Sequence, residues 1–227
     1  MKIPLILWVA LFIKLLPYAV ARWRGTLVGA ALRRTMEWVL VLSFTDWFAR
    51  LWVLLVDGTN NFLASHLMSP VKGTVVLLAL AEWQVLPIAR STMRYCIPFV
   101  WLFWGAAMLW VEDPRNFSIL VSPTIGLLAL AGALFALLSR MREDHGPVLT
   151  SPWAWALTAI AVYHANNAAL GIFQAVVTAS GDIPLMVRAA NFRAWLETIA
   201  VVILSGAYFW QTPTRSSGAS SSPVPSR

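Results

Sequence analysis

Seven long apolar runs separated by short polar turns set the pattern of this chain. They cover approximately residues 3–21, 36–56, 72–89, 96–111, 118–139, 152–178 and 184–210. A hydrocarbon layer of ~30 Å takes about 20 helical residues to cross, so each run is read as one crossing helix. Runs three and four are the shortest and are joined by Arg90-Ser91-Thr92-Met93-Arg94. The other connections, such as Asp57-Gly58-Thr59-Asn60-Asn61, Glu112-Asp113-Pro114-Arg115 and Arg142-Glu143-Asp144-His145-Gly146-Pro147, hold the glycine, proline and charge that end helices in water. Residues 24–35 are expected to form an interfacial amphipathic lead-in, because Arg33 and Arg34 adjoin apolar neighbours. The pattern predicts an all-α, polytopic transmembrane helix bundle of about seven helices. It forms one domain over residues 1–210, followed by a disordered, Ser/Pro-rich cytoplasmic tail at 211–227.

Composition strengthens the lipid reading. Of 227 residues, 59% are hydrophobic and 12% charged, whereas a soluble domain uses about 25% charged residues to cover its surface. The net charge of +7 would suggest nucleic acid in a soluble protein. Here the arginines sit between apolar runs, where they anchor loops against anionic headgroups, so no nucleic-acid partner is expected. The partners expected instead are the lipid bilayer and other membrane subunits. Cys96 is the single cysteine, which excludes an intrachain disulfide and any multi-cysteine metal site. Thirteen tryptophans include Trp8, Trp23, Trp101, Trp110, Trp153 and Trp210 near run ends, as interfacial belts use them.

Lysine and arginine placement predicts orientation. With the N-terminus outside, the inner segments hold Arg22, Arg24, Arg33, Arg34, Arg90, Arg94, Arg140, Arg142, Arg215 and Arg227, against Lys2, Lys72 and Arg115 outside, or five outside if Arg188 is counted with Arg193. N-out, C-in follows. A competing reading takes Lys2, the first apolar run and Ala19-Val20-Ala21 as a cleavable signal peptide. Lys14 interrupts that run, and the arginines after it resist export.

The chemistry sits in the few polar groups of the runs, since an ionisable group at mid-bilayer costs ~2.5–3.5 kcal/mol and turns toward a partner. In IAVYHANNAALGIFQAVVTAS, residues 160–180, His164, Asn167, Gly171, Gln174 and Thr178 fall on one helical stripe. Such a stripe either bonds to neighbouring helices, with Gly171 permitting close approach, or lines a polar cavity. Asp46 and Arg50, four apart, are expected to pair within one helix, and Arg193 and Glu197 repeat the device in reverse order. Glu82 has Leu78 and Leu86 at its i±4 positions. It is therefore expected to find a cation on another helix, among Arg50, Arg188, His164 and Lys14, or to face water. Lys14 and Glu37 are expected to snorkel toward the interface.

Several activities are excluded by residue type. A retinal Schiff base lacks its lysine, since Lys2, Lys14 and Lys72 are the only three and none lies in the last run. His66 and His145 are read as lying in connections on opposite sides, which leaves no bis-histidine haem pair. H-E-x-x-H and G-x-S-x-G motifs are absent, and no metal or other cofactor is implied. A Cys96–His164 nucleophile pair is the one surviving enzymatic arrangement, and a buried lone cysteine is usually inert.

The layout, with LALAEWQVLPIARSTMR at 78–94 and the arginine-flanked first loop, resembles bacterial integral membrane proteins of seven short-looped helices. That resemblance implies a bacterial inner membrane and transfers no active residues. The function expected is a non-enzymatic membrane component, sensor-like or an assembly subunit, whose polar stripe binds a partner helix or small ligand. The alternative is a small transporter or channel using Glu82, Asp46, Arg50 and the His164–Thr178 face, with an intramembrane enzyme as a third reading.

Overall fold

The computed structural model describes residues 5–26, 29–56, 61–144 and 146–211. The tail expected to be disordered lies, beyond Gln211, outside the described residues, as does His145. Among the described residues the chain is all α, with eight α-helices, one 3-10 turn at Val148–Thr150 and no strand. Four helices are long and apolar enough to cross a membrane: Ala30–Leu55, Phe62–Trp83, Val121–Glu143 and the stretch Pro184–Trp210.

The first expected run is two helices, α1 (Leu5–Ile13) and α2 (Leu16–Arg24), of 9 residues each. Pro17 explains the break: it has no N–H to give the Ile13 carbonyl, and its ring crowds the preceding turn. The break places Lys14 between the two helices and inside the protein, where it is 1% exposed. This corrects the expectation that Lys14 snorkels.

Helix α3 (Ala30–Leu55) starts six residues before the expected run, at 30 rather than 36. Residues 30–35 therefore belong to a long helix and not to a separate interfacial segment. Thr35 illustrates why: its hydroxyl donates back to the Ala31 carbonyl at 2.8 Å and accepts from Trp83 Nε1 at 2.9 Å.

Helix α4 (Phe62–Trp83) shifts furthest, since the sequence reading placed that run at 72–89. Pro70 lies inside the helix. A mid-helix proline leaves the carbonyl four residues earlier without its donor, and here that carbonyl, His66 O, accepts Trp104 Nε1 at 3.0 Å. A neighbouring helix thus repairs the ladder inside the protein, where a buried carbonyl needs a partner. His66 and Lys72, both assigned to connections from sequence, consequently lie on α4.

Helices α5 (Pro87–Trp110), α6 (Val121–Glu143), α7 (Pro152–Ser180) and α8 (Ile183–Trp210) follow. Arg90 and Arg94 form part of α5 rather than a loop. Two arginines close the end of α4, whose last carbonyls lack helical partners: Arg140 Nε donates to Trp83 O at 3.1 Å, and Arg90 Nη2 to Gln84 O at 3.4 Å.

Helix α7 packs between α6 and α8, α4 meets α3, α5 and α6, and α1 and α2 lie along α8. Small residues make these approaches close. Gly126, Ala129, Ala133 and Ala136 form a buried stripe on α6. A Cβ on Gly126 would meet Ala168 N and His164 O at 3.3 Å. Trp153, expected at an interface, is instead buried at 5% exposure, with its indole donating to Asp144 Oδ2 at 2.7 Å.

Candidate functional site: a charged cleft between helices

Lys14 is the centre of a buried ionic network. Its ammonium donates to Asp46 Oδ2 on α3 and to Glu197 Oε2 on α8 at 3.2 Å. Glu197 Oε1 accepts from Arg193 Nε at 3.0 Å, and Arg193 Nη2 donates to Asn167 Oδ1 on α7 at 2.8 Å. Asn166 Nδ2 reaches the Arg193 carbonyl at 3.3 Å. Two cations and two carboxylates therefore balance one another across the α1–α2 break, α3 and α8, with Asn167 of α7 bonded to Arg193. Each alone would be expensive at this depth; together they satisfy most of their donors and acceptors.

These groups border a cleft of about 710 Å³ whose lining includes Asp46, Arg50, Lys72, Asn167, Arg193 and Glu197. The volume lies within the ~300–1,000 Å³ range of small-ligand sites. Apolar walls come from Leu11, Leu42, Ala49 and Ala194, and the exposed Leu51 and Leu54 stand at its rim. Arg50 places its guanidinium 5.1 Å from the centre of the Trp8 ring, a cation–π contact. An adjoining recess of about 30 Å³ shares Ser69, Lys72, Tyr163 and Asn167 with the cleft and adds His164.

Of the residues singled out from sequence, Asp46, Arg50, Asn167, Arg193 and Glu197 come together on the cleft, and His164 borders the recess. The expected Asp46–Arg50 pairing gives way to Lys14 as the cation on Asp46. Glu82 lies elsewhere. It pairs with Arg94 Nη2 at 2.9 Å, on the half-exposed α4–α5 surface, and with none of the four expected cations. Gln174, with Gly171 and Thr178, has its side chain outside the described residues.

The polar stripe thus has three separate answers. Asn167 fixes Arg193, and Asn166 reaches the next helix. His164 stacks on Trp38, ring centres 5.7 Å apart, and neither of its ring nitrogens has a hydrogen-bond partner among the described residues.

Sequence reasoning missed Lys72. Its residue number lies at the middle of α4, and it lines both cleft and recess. The available signal was the largely apolar stretch from 62 to 83, read through Pro70 and past its scattered Ser, His and Lys.

At one end of the cleft lies a second polar cluster. His66 Nε2 donates to Asn116 O at 2.9 Å, and its Nδ1 stands 3.2 Å from Glu112 Oε2. Glu112 follows α5, and its other oxygen accepts from Ser118 Oγ and from the backbone N–H of Leu120 and Val121 at 2.7–3.0 Å. It thereby caps the start of α6. Burial pushes the Glu112 carboxyl up, yet the His66, Val121, Leu120 and Ser118 hydrogen bonds outweigh it and hold the pKa at about 2.

The architecture and site define a class: an all-helical protein with membrane-length helices and an ion-lined cleft between them. No family model, curated protein or solved structure matches this chain.

Proposed function

We propose that this chain is a polytopic integral membrane protein of a bacterial inner membrane, N-out and C-in, that binds a small ligand in the cleft between α3, α4, α7 and α8. It acts without catalytic chemistry, as a sensor-like component or an assembly subunit beside other membrane subunits. The cleft carries the reading. Charged groups widely separated in sequence converge on a space large enough for a ligand instead of being filled in by neighbouring helices.

Charge placement supports the orientation. Antiparallel helices gather Arg22, Arg24, Arg33, Arg34, Arg90, Arg94, Arg140 and Arg142 at one end of the bundle, while Arg115 and Arg188 lie toward the other. Lys72, on α4 and lining the cleft, leaves the outer set, and Arg188 joins it. The cleft borders Asn61, Asn116 and Phe117 at the arginine-poor end, which is the outer side in this orientation.

Transport is the second reading, favoured by the break between α1 and α2 at Lys14. Discontinuous helices with a charged group at mid-membrane are a common transporter device.

Equilibrium binding of radiolabelled dodecanol to the purified chain, compared with Ala190→Trp, tests the cleft as a ligand site. Saturable binding that the added indole abolishes is expected, and equal binding by both proteins would overturn the proposal. Proteoliposome flux of the bound compound then separates the two readings. Flux above leak that Glu197→Gln removes would favour transport.

A further inference from the structure

We infer that the cleft binds a single-chain anionic amphiphile, its carboxylate or phosphate headgroup held by Lys72 and its hydrocarbon chain lying along the apolar wall. This rests on the cleft being a ligand site, as proposed above, and adds the ligand's charge and shape.

The argument begins with the cations. Lys14 is matched by Asp46 and Glu197, and Arg193 by Glu197 and Asn167. Lys72 has no ion pair and no hydrogen bond among the described residues, although its ammonium lies in a helix of membrane length and borders both the cleft and the recess. An ammonium left without an anion at that depth is unfavourable, so a bound anion would supply what the protein does not.

The surroundings fit an oxyanion. Ser122 borders the recess beside Lys72, and so does Asn167, whose Oδ1 is taken by Arg193 and whose NH2 is the end that can donate; Ser69 also lines it, but its hydroxyl is donated to Ser65 O at 2.9 Å. Hydroxyl and amide donors around one ammonium suit a carboxylate or phosphate, with charge-assisted hydrogen bonds as the main attraction.

The rest of the cleft is hydrocarbon-like. From the recess the walls run past Leu42 and Ala49 to Leu51 and Leu54, whose exposed side chains would face acyl chains. A ligand with a long apolar tail can therefore enter from the bilayer without first crossing water. A small inorganic anion would use the head site and leave the apolar wall uncovered.

Equilibrium binding to the full chain purified in maltoside tests this, with radiolabelled dodecanoate, dodecanol and acetate at a pH where the carboxylate is ionised. Dodecanoate should bind about tenfold or more tighter than dodecanol, the scale of one charge-assisted contact, and acetate far more weakly than either. Lys72→Met should remove the preference for dodecanoate, and saturable dodecanol binding that persists in this variant shows that the cleft is still formed. Lys72→Arg should keep the preference. Dodecanoate and dodecanol binding equally to the native chain, or acetate matching dodecanoate, would overturn the inference while leaving the cleft a ligand site. Failure of all three probes to bind would overturn the ligand-site reading itself. If Lys72→Met misfolds, the native ratio of dodecanoate to dodecanol decides.

Discussion

Lys14 Nζ lies 3.2 Å from Glu197 Oε2, so the break between the first two helices is tied to the middle of the last one. The contact spans 183 positions of sequence and is reinforced by Asp46 on α3. Because Lys14 is 1% exposed, water contributes little to stabilising its charge. The two carboxylates do that work, and the ammonium in turn holds α1–α2, α3 and α8 together.

Removing the ammonium should therefore be far worse than removing one carboxylate. Lys14→Met is expected to cost about 3 kcal/mol, since it takes from Asp46 and Glu197 the ammonium they share. Glu197→Gln should cost less, because Asp46 keeps its hold on Lys14. The double variant should be less damaging than the sum of the two, a coupling on the order of 1 kcal/mol or more. Reversible unfolding in mixed micelles measures all three; additive losses would refute a shared network.

Much of this arrangement was legible from sequence in outline and illegible in detail. All seven apolar runs coincide with helices, or with a helix pair in the first case, because long greasy segments have few alternatives. The errors cluster at prolines. Pro17 breaks a helix that was read as continuous, and Pro70 lies within a helix that was thought to start after it. Whether a proline interrupts depends on who satisfies the freed carbonyl, and Trp104 does so for His66 from another helix. No local pattern discloses such a donor.

The site was half visible for the same reason. Arg193 and Glu197 sit four apart on one helix, so their contact follows from spacing. Asp46 and Arg50 have equally good spacing, yet a lysine from α1–α2 is the partner of Asp46. Tertiary geometry decided between two local options, and Glu82 found Arg94 by the same route.

Gly206 should be intolerant of any side chain. A Cβ there would stand 2.6 Å from Trp155 Cε3 and 3.2 Å from Cγ, near the root of the indole, where a rotamer adjustment gives little relief. Trp155 is also fixed by its N–H bond to Leu149 O at 2.7 Å. Gly206→Ala is expected to cost about 1–3 kcal/mol through overpacking between α7 and α8. Trp155→Leu should restore part of the loss by reopening the space. A Gly206→Ala protein as thermally stable as the native chain would show that the two helices can separate freely.

Acid should loosen the loop between α5 and α6. The Glu112 pKa falls from 4.5 to about 2 on folding, so the unfolded chain takes up this proton first as pH drops. The carboxylate's contribution, about 3 kcal/mol at most, is complete above pH 4.5 and disappears as pH falls toward 2. His66 faces the carboxylate directly, and Asp113 is its neighbour in the chain. Glu112→Gln should be less stable than the native chain at neutral pH, and the gap should close in acid as the native carboxylate becomes protonated. Thermal midpoints of both proteins across this range provide the measurement, and a constant gap would disprove the assignment.

Orientation can be tested with the single native cysteine removed. In a Cys96→Ala background, Arg115→Cys places a thiol in the exposed α5–α6 connection, and Leu149→Cys places one at a position 76% exposed between α6 and α7. Antiparallel packing puts these connections at opposite ends of the bundle, and the arginine-rich end belongs to the Leu149 side. With that end cytoplasmic, a membrane-impermeant maleimide added to intact cells should label Arg115→Cys and spare Leu149→Cys until the membrane is opened. The reverse pattern would invert the protein. Equal labelling of both in intact cells would mean that the two connections are not separated by a bilayer.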